Sequence, residues 1–233
     1  MSNSAILIVA SEAREFRGIL RHCSEVQNLD WGIDFAASAQ SRQGSKVVCV
    51  ANGPGFRCAE KAMQVATSKG TYRAVFSTGF CGGLDPALAV GDVVEAAAVL
   101  DVAAGERYRC AKGTDAVVAS VDRIAATAEE KAALHAATGA SVVEMEAAVV
   151  ARYAAAQDAA FYCVRAISDT ADHTFEIEMN QFRDAEGRFA KGRIVLEALK
   201  RPFTRIPGLL ALDRNCKLAE DRLGDFFANC NFA

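Results

Sequence analysis

The chain has 233 residues, of which 52% are apolar and 24% charged, a balance typical of a globular protein with one sizeable core. Its formal net charge is −3 and its basic residues are scattered, so the charge suggests neither nucleic acid nor an anionic membrane as a partner. Eight cysteines without CxxC spacing and three isolated histidines predict no metal site, and most of the cysteines lie in apolar runs, as buried thiols of a reducing compartment do.

The N-terminal segment contains an apolar stretch of about six residues, which is too short for a signal peptide or a membrane span. We therefore expect a cytoplasmic protein whose first core strand is formed by residues 5–10.

Strand and helix patterns alternate along the rest of the chain. Apolar or β-branched runs predict strands at residues 5–10, 31–37, 46–51, 74–77, 93–102, 117–120 and 161–167. Helical apolar spacing predicts helices at residues 11–23, 57–68, 127–137, 147–157, 188–199 and 215–227. Residues 107–114 suggest a short hairpin, residues 174–183 are ambiguous, and the prolines within 201–208 predict a break. Without a linker or a repeat, residues 1–233 are predicted to form a single α/β domain around a twisted sheet.

Two glycine-rich turns are predicted at strand ends. Residues 78–83, TGFCGG, follow the strand at 74–77, and residues 52–55, NGPG, follow the strand at 46–51. Glycine lets backbone N–H groups approach an anion without a Cβ in the way, and open α/β sheets bind ligands at strand ends. The spacing G-x-x-G-G is not a dinucleotide fingerprint. Each turn is either an ordinary tight turn or a ligand cradle, and their pairing favours a cradle.

Two carboxylates follow in the extended run at residues 142–146. If the segment is a strand, Glu144 and Glu146 project to one face and Met145 to the other. A carboxylate near a buried strand must be paired or hydrogen-bonded, and the two hydroxyls of a ribose could satisfy one of them. The alternative is that one glutamate lies at the N-terminus of the helix at 147–157, where the helix dipole favours it.

A second polar site, Ser168-Asp169, follows the strand at 161–167. It is either an N-cap or Asx-turn, or a general acid held at a strand end. No histidine in the sequence forms a recognisable catalytic motif with Cys81, so we expect a buried thiol rather than a nucleophile.

Three blocks of sequence, in order, resemble the nucleoside phosphorylase and nucleosidase family. They are STGFCGGLDPALAVGDVV, ASVDRIAATAEEK, and VVEMEAA with RAISDTAD. The last pair is the most diagnostic, particularly of the methylthioadenosine/S-adenosylhomocysteine nucleosidase branch. The blocks lie within residues 77–172. The resemblance implies a three-layer α/β/α sandwich with a mixed central sheet, and a homo-oligomer, commonly a dimer.

The resemblance also implies roles at the base. Asp169 would protonate N7 of a departing purine, Ser168 would steady that region, and backbone near Ile124 would flank the base. Cleavage of the bond between ribose C1′ and purine N9 develops negative charge on the base, so a proton donor there is the chemistry required.

At the sugar, the resemblance implies that Glu146 holds the ribose hydroxyls and that Met145 packs beneath the ring, while Glu144 is a further candidate for binding. A carboxylate at this end would stabilise the positive, oxocarbenium-like charge that develops on the sugar. No metal or organic cofactor is implied.

The second substrate is where the sequence departs from the family. Phosphorylases of the family hold phosphate with arginines and a serine in the glycine block, where this chain has Gly79 and Phe80 instead. Nucleosidases use a glutamate just after the first strand to activate water, and both Glu12 and Glu15 lie near that place. We therefore expect hydrolysis. The bulk of Phe80 predicts a pocket that prefers an apolar 5′ substituent or excludes phosphate.

Two alternatives stay open. The short span between Asp92 and Glu144, and the sequence GGLDPAL, resemble hopanoid-associated phosphorylases, which act on an adenosylated lipid. The first alternative is therefore a phosphate-dependent phosphorylase, including one with an adenosylhopane-type substrate. The second is a nucleoside-binding relative without turnover, an alternative that the Phe80 substitution keeps open. In each case the expected partner is a small nucleoside.

Overall fold

The structure is a computed structural model that describes residues 5–184 and 187–230. The described strands are β1 (Ala5–Ala10), β2 (Ser24–Asn28), β3 (Phe35–Gln40), β4 (Lys46–Ala51), β5 (Tyr72–Gly83), β6 (Val93–Glu95), β7 (Ala98–Asp101), β8 (Glu106–Arg109), β9 (Val117–Ser120), β10 (Val142–Glu144) and β11 (Ala160–Asp169). The described α-helices are α1 (Arg17–Leu20), α2 (Phe56–Lys69), α3 (Ala128–Thr138), α4 (Ala147–Ala156), α5 (Lys191–Ala198) and α6 (Pro202–Asn229). Short 3₁₀ turns lie at Ala13–Phe16 and Met179–Phe182. The single domain predicted over 1–233 also includes residues 1–4 and 231–233, which lie outside the described residues.

The described strands form one mixed sheet. Its order is β2-β3-β4-β1-β5-β10-β9-β7-β8, and β11 pairs with both β5 and β6. The central pairs β4–β1, β1–β5 and β5–β11 are parallel, so the carboxyl ends of these strands lie at the same edge. β10 runs antiparallel to the last residues of β5, where Val142 pairs with Gly83 and Val143 with Gly82. The ends of β1, β5, β10 and β11 therefore meet in one place.

Helices cover both faces of the sheet because the central strands alternate their side chains between two cores. In β1, Leu7 and Val9 pack into a cluster that includes α2 and α4. Ile6 and Ile8 point to the opposite side, into a cluster that includes α6. This arrangement confirms the predicted three-layer α/β/α sandwich with a mixed sheet.

The glycine block differs from its prediction. Instead of a turn at residues 78–83, β5 continues to Gly83, because residues 74–82 pair with β11 along its length. Gly79 adopts a φ of +132° inside the strand, a conformation that residues with a Cβ rarely take. β11 also extends through Ser168 and Asp169, so these residues form neither an N-cap nor a turn.

The remaining elements either match their predicted ranges or are divided into shorter elements. Residues 5–10, 46–51 and 117–120 are strands as predicted. Residues 93–102 form two strands with different partners, since β6 pairs with β11 and β7 with β9. The hairpin suggested at 107–114 lies earlier in the chain, since β7 pairs with β8 over residues 98–109 and residues 110–114 form no strand. The α-helix predicted at 11–23 is reduced to α1, because a 3₁₀ turn precedes it. β2 was not predicted.

The break predicted at residues 201–208 is wrong, since α6 runs through it. Pro202 lies in the first turn, where its missing N–H costs nothing. Pro207 removes a hydrogen bond inside the helix at a cost of about 3 kcal/mol, which the packing of Ile206 and Leu209 against a cluster around Met179 helps to offset. None of the helices described is long and apolar enough to cross a membrane.

Candidate active site

A cavity of about 250 Å³ lies at the sheet edge where the ends of β1, β5, β10 and β11 meet. The predicted site residues in its wall are Glu12, Glu15, Phe80, Ile124, Glu144, Met145, Glu146, Ser168 and Asp169. Gly79 lies behind this wall, and a Cβ added there would come within 2.4 Å of Glu15 Oε1. The structure thus brings together residues that are up to 157 positions apart in the chain.

A second depression, of about 720 Å³, lies between residues 84–89 and α3. It is larger, but its wall is mainly apolar and contains a single carboxylate, that of Asp172. Paired and buried charges are concentrated in the first cavity, which we therefore treat as the candidate site.

Glu144 ends β10 and is buried. Its carboxylate accepts hydrogen bonds from the backbone N–H groups of Glu146, at 2.9 Å, and Ala147, at 2.8 Å. It is therefore the glutamate that the N-terminus of α4 stabilises. The prediction that Met145 faces away from Glu144 and Glu146 is wrong, because the strand ends at Glu144 and the chain turns into α4. All three side chains line the cavity.

Arg165 of β11 is fully buried among carboxylates. After the role expected from the sequence, we call these groups the sugar-side cluster: Arg165, Glu15, Glu144 and Glu146. The guanidinium pairs with Glu144, and its Nη1 lies 3.9 Å from Glu146 Oε2. Burial by itself would lower the pKa of Arg165, but the Glu144 carboxylate and the other acidic groups raise it above its usual value. One cation thus faces three acidic groups.

The excess of acidic groups over cations affects the pKa of Glu146. Burial raises its pKa, the charges of Glu144 and Glu15 raise it further, and Arg165 opposes them, with the result at about 8. At neutral pH the buried Glu146 side chain therefore retains its proton. Its Oε1 accepts a hydrogen bond from the Gly55 N–H at 2.8 Å, so the glycine turn at residues 52–55 supports the site.

Glu15 occupies a cradle of hydrogen-bond donors. Its Oε2 accepts from the Ser11 N–H at 2.8 Å, the Ser11 hydroxyl at 2.6 Å and the Glu12 N–H at 2.8 Å. Its Oε1 accepts from the Phe80 N–H at 2.8 Å. Three backbone N–H groups converging on one anion form a typical anion-binding nest. The glycine block does contribute to an anion cradle, but a carboxylate of the protein itself fills it.

Glu12 has a different environment on the same wall. Its side chain is 30% exposed, and its carboxylate lies 3.6 Å from the Arg14 guanidinium. Arg14 in turn lies over the ring of Phe80, 5.2 Å from the ring centroid. Glu12 is thus balanced by a partly exposed cation, whereas Glu15 is buried beside Arg165.

Asp169 lies at the other end of the cavity, and its carboxylate is held on both oxygens. Oδ1 lies 2.7 Å from the Ser168 hydroxyl, and Oδ2 lies 2.5 Å from Lys131 Nζ. Lys131 belongs to α3 and is fully buried. Its ammonium group also donates to the carbonyl oxygens of Thr170, at 2.7 Å, and His173, at 3.2 Å, which uses all three of its hydrogens. After the role expected of Asp169 from the sequence, we call Lys131 and Asp169 the base-side pair.

The backbone of Ile124 is already hydrogen-bonded. Its N–H donates to Asn180 Oδ1 at 2.9 Å, and its carbonyl oxygen accepts from Asn180 Nδ2 at 3.0 Å. Because a backbone N–H has a single hydrogen, a base that bonds to it must displace the carboxamide. Ile124 lies in the cavity wall, as predicted, but with its donor committed.

Sequence reasoning missed Lys131, Arg165 and Asn180. A signal for Arg165 was present, since a charged residue interrupts the buried strand run FYCVRAI. Lys131 had no such signal, because charged residues are common on the solvated faces of a helix like the one predicted at 127–137. Cys81 is buried as predicted, and burial raises the pKa of its thiol well above the usual value.

Comparisons with known proteins agree with this fold. The S-adenosylhomocysteine nucleosidase from Streptococcus pyogenes superposes with a TM-score of 0.70 and 20% identity, over 99% of both chains. The 5′-methylthioadenosine/S-adenosylhomocysteine nucleosidase from Neisseria meningitidis gives 0.70 and 18%, over 97% of this chain and 100% of that one. The futalosine hydrolase of Helicobacter pylori gives 0.69 and 17%, over 96% and 95%. At these identities the likeness establishes the fold.

A search by sequence among curated proteins gives no match. The phosphorylase superfamily, in contrast, matches residues 4–114 and 104–200, which together make up most of the chain. The chain therefore belongs to the phosphorylase superfamily, and this membership confirms its predicted class, an enzyme of the nucleosidase or nucleoside phosphorylase type.

Proposed function

We propose that the protein hydrolyses the N-glycosidic bond of a purine nucleoside of the adenosine type. The observation that carries hydrolysis, as opposed to phosphorolysis, is the position of Glu15. Its carboxylate fills the nest of backbone N–H groups that would otherwise attract a phosphate anion. A second anion at the same place would meet like charge, whereas a neutral water would not.

At the base, Asp169 delivers a proton to N7 of the leaving purine. The base-side pair contains the proton that this step requires: it leaves Lys131 Nζ, passes through Asp169 and ends on the base. The bonding electrons of the C1′–N9 bond move onto the purine, which departs neutral.

At the sugar, Glu146 binds the 2′- and 3′-hydroxyls and Met145 packs beneath the ring. Glu144 remains in the wall but acts through Arg165 and α4, to which its oxygens are committed. The sugar-side cluster has more acidic groups than cations, so it stabilises the positive charge that develops as C1′ loses the base. The imbalance that raises the pKa of Glu146 thus favours the transition state.

Water is the second substrate, and Glu15 is its proton acceptor. Among the described residues, Oε1 of Glu15 accepts one hydrogen bond, from the Phe80 N–H, and therefore retains acceptor capacity. Hydroxide adds to C1′, and the proton of the water passes to Glu15. Glu12 is the competing candidate, because it lines the same cavity. Apolar side chains in the same cavity wall, including Phe80, Phe189 and Leu212, favour an apolar 5′ substituent.

Phosphorolysis remains the second candidate because of Arg14. Its guanidinium lies in the cavity wall next to Phe80, where a phosphate could reach it. The 3.6 Å ion pair with Glu12 reduces its availability, which is why we rank phosphorolysis lower. The homodimer and the cytoplasmic location expected from the sequence stay predictions.

The test is to incubate the protein with purine and pyrimidine nucleosides, with and without inorganic phosphate, and to measure free base and the sugar product. Hydrolysis predicts base release that is independent of phosphate and yields a free sugar. Release that requires phosphate and yields a sugar 1-phosphate would establish the second candidate. Nucleoside binding without base release under either condition would contradict both.

A further inference from the structure

The surface formed by α5 and the first turns of α6 exposes large apolar side chains. We call it the α5–α6 surface and define it as residues 193–210. Phe203 is 93% exposed and Leu196 is 65% exposed. The other large apolar residues exposed on this surface are Val195, Leu199 and Leu210. Of the seven exposed large hydrophobic residues described, five lie on this short stretch, so the exposure is local.

The same two helices already bury a second apolar face. Ile194 and Ala198 of α5, and Ile206 and Leu209 of α6, pack into the cluster that contains Met179. The helices are therefore anchored from inside, and their outer side chains are not exposed through loose packing. A helix with apolar side chains on both faces is normally covered on both. The outer face thus requires an apolar partner.

The charge of the segment indicates what that partner is. Residues 193–210 contain four basic residues and one acidic residue, in a chain whose net charge is −3. Arg193, Lys200 and Arg201 are exposed. The acid, Glu197, lies 2.6 Å from Lys200 and 2.7 Å from Arg205, so its charge is compensated locally. The net charge of the whole chain does not reveal this local excess of basic residues, because most of the acidic residues lie outside the segment.

We propose that the α5–α6 surface binds the surface of bilayers that contain anionic lipids. Phe203, Leu196 and Leu199 insert among the acyl chains near the headgroups, and Lys200 and Arg201 contact lipid phosphates. Basic residues interleaved with Leu and Phe on one amphipathic surface are the pattern of interfacial helices. Each basic residue near an anionic membrane adds a comparable increment of affinity, so the two kinds of side chain act together.

The test is co-sedimentation of the full chain with vesicles of phosphatidylcholine alone and with vesicles that also contain phosphatidylglycerol. We expect binding to the anionic vesicles only, and weaker binding as salt increases. The variant Leu196→Gln/Leu199→Gln/Phe203→Ser removes the insertion and should abolish binding. The variant Lys200→Gln/Arg201→Gln should weaken it by about tenfold or more.

Val26→Gln is the matched control, because Val26 is 46% exposed on β2, far along the chain from this surface. It should bind as the wild type does, and circular dichroism should show that each variant is folded. Absence of binding by the wild type, or equal binding to both vesicle types, would overturn the proposal. So would a wild-type dimer that dissociates in the triple variant, since the surface would then bind a second copy. No nucleoside is needed, so the result is independent of the proposed hydrolysis.

Discussion

The two ends of the cavity distribute charge in opposite ways. The base-side pair balances one carboxylate with one buried ammonium group at 2.5 Å. The sugar-side cluster sets Glu15, Glu144 and Glu146 against the single guanidinium of Arg165. The balanced end can supply a proton, and the end with excess acid can attract positive charge. Cleaving a glycosidic bond needs both, because charge of opposite sign develops at the base and at the sugar.

The base end is tested first by Asp169→Asn. The amide retains the shape of the side chain but cannot donate a proton as the acid does, so we expect kcat for base release to fall by about 10³-fold. Steady-state kinetics with the best nucleoside of the panel measures it. Asp172→Asn is the matched control, because Asp172 is an exposed neighbour, and it should leave kcat within twofold. An active Asp169→Asn variant would place the proton donor elsewhere.

At the sugar end, the sharpest test compares Glu15→Gln with Glu12→Gln. If Glu15 accepts the proton of the water, its substitution should lower kcat by about 10²-fold, within the range for a general base. Glu12→Gln should change kcat far less, since Glu12 is partly exposed and paired with Arg14. The reverse ranking would assign the base to Glu12 and leave Glu15 a structural role in the nest.

The balance of the base end itself is tested by Lys131→Met. Removing the ammonium group leaves the Asp169 carboxylate buried without its cation, so the free energy of unfolding should fall by about 3 kcal/mol. Denaturant titration measures this loss, with Lys61→Met on an exposed position of α2 as the control. The double variant Lys131→Met/Asp169→Asn should recover part of the loss, because no unpaired charge remains. An unchanged single variant would contradict a strong pair.

The imbalance of the sugar end is tested by the pH dependence of stability. The pKa of Glu146 is about 8 in the folded protein and near the usual 4.5 when unfolded, so between these values the folded state binds more protons. Rising pH therefore destabilises the wild type through this group, by on the order of a few kcal/mol in total.

Glu146→Gln cannot titrate, so its free energy of unfolding should decline less than that of the wild type between pH 5 and pH 8. Urea titrations at several pH values measure the difference. Glu129→Gln, at an exposed position of α3, should follow the wild type. Parallel curves for Glu146→Gln and the wild type would mean that Glu146 ionises normally in the folded state.

The contrast between the two ends also explains what the sequence could predict. The carboxylates at residues 144–146 and 169 follow apolar strands, so alternation and strand ends located them and the sheet. Their partners could not be located in this way, because Lys131 approaches from a helix 38 positions earlier in the chain. The pairing of β5 with β11, which keeps Gly79 in a strand, is likewise a long-range contact that no local pattern specifies.

Local sequence patterns misled the prediction where tertiary packing decided the outcome. Pro207 has the local signature of a break, yet α6 continues because the partly buried Ile206 and Leu209 pack against the cluster around Met179. Similarly, the short run at 142–146 has the pattern of a strand but ends at Glu144, where the carboxylate binds the first N–H groups of α4. Local propensity is a weak guide wherever such contacts intervene.

The carboxamide of Asn180 occupies the hydrogen-bonding groups of the Ile124 backbone that a bound base would use. With its oxygen on the Ile124 N–H and its nitrogen on the Ile124 carbonyl, it presents an acceptor beside a donor. The adenine edge offers the same order, N1 as acceptor and the N6 amino group as donor, whereas hypoxanthine reverses it. A base that takes over Ile124 thus exchanges one pair of hydrogen bonds for another. We expect its net gain in affinity to be small, and selectivity to arise because other bases cannot complete the exchange.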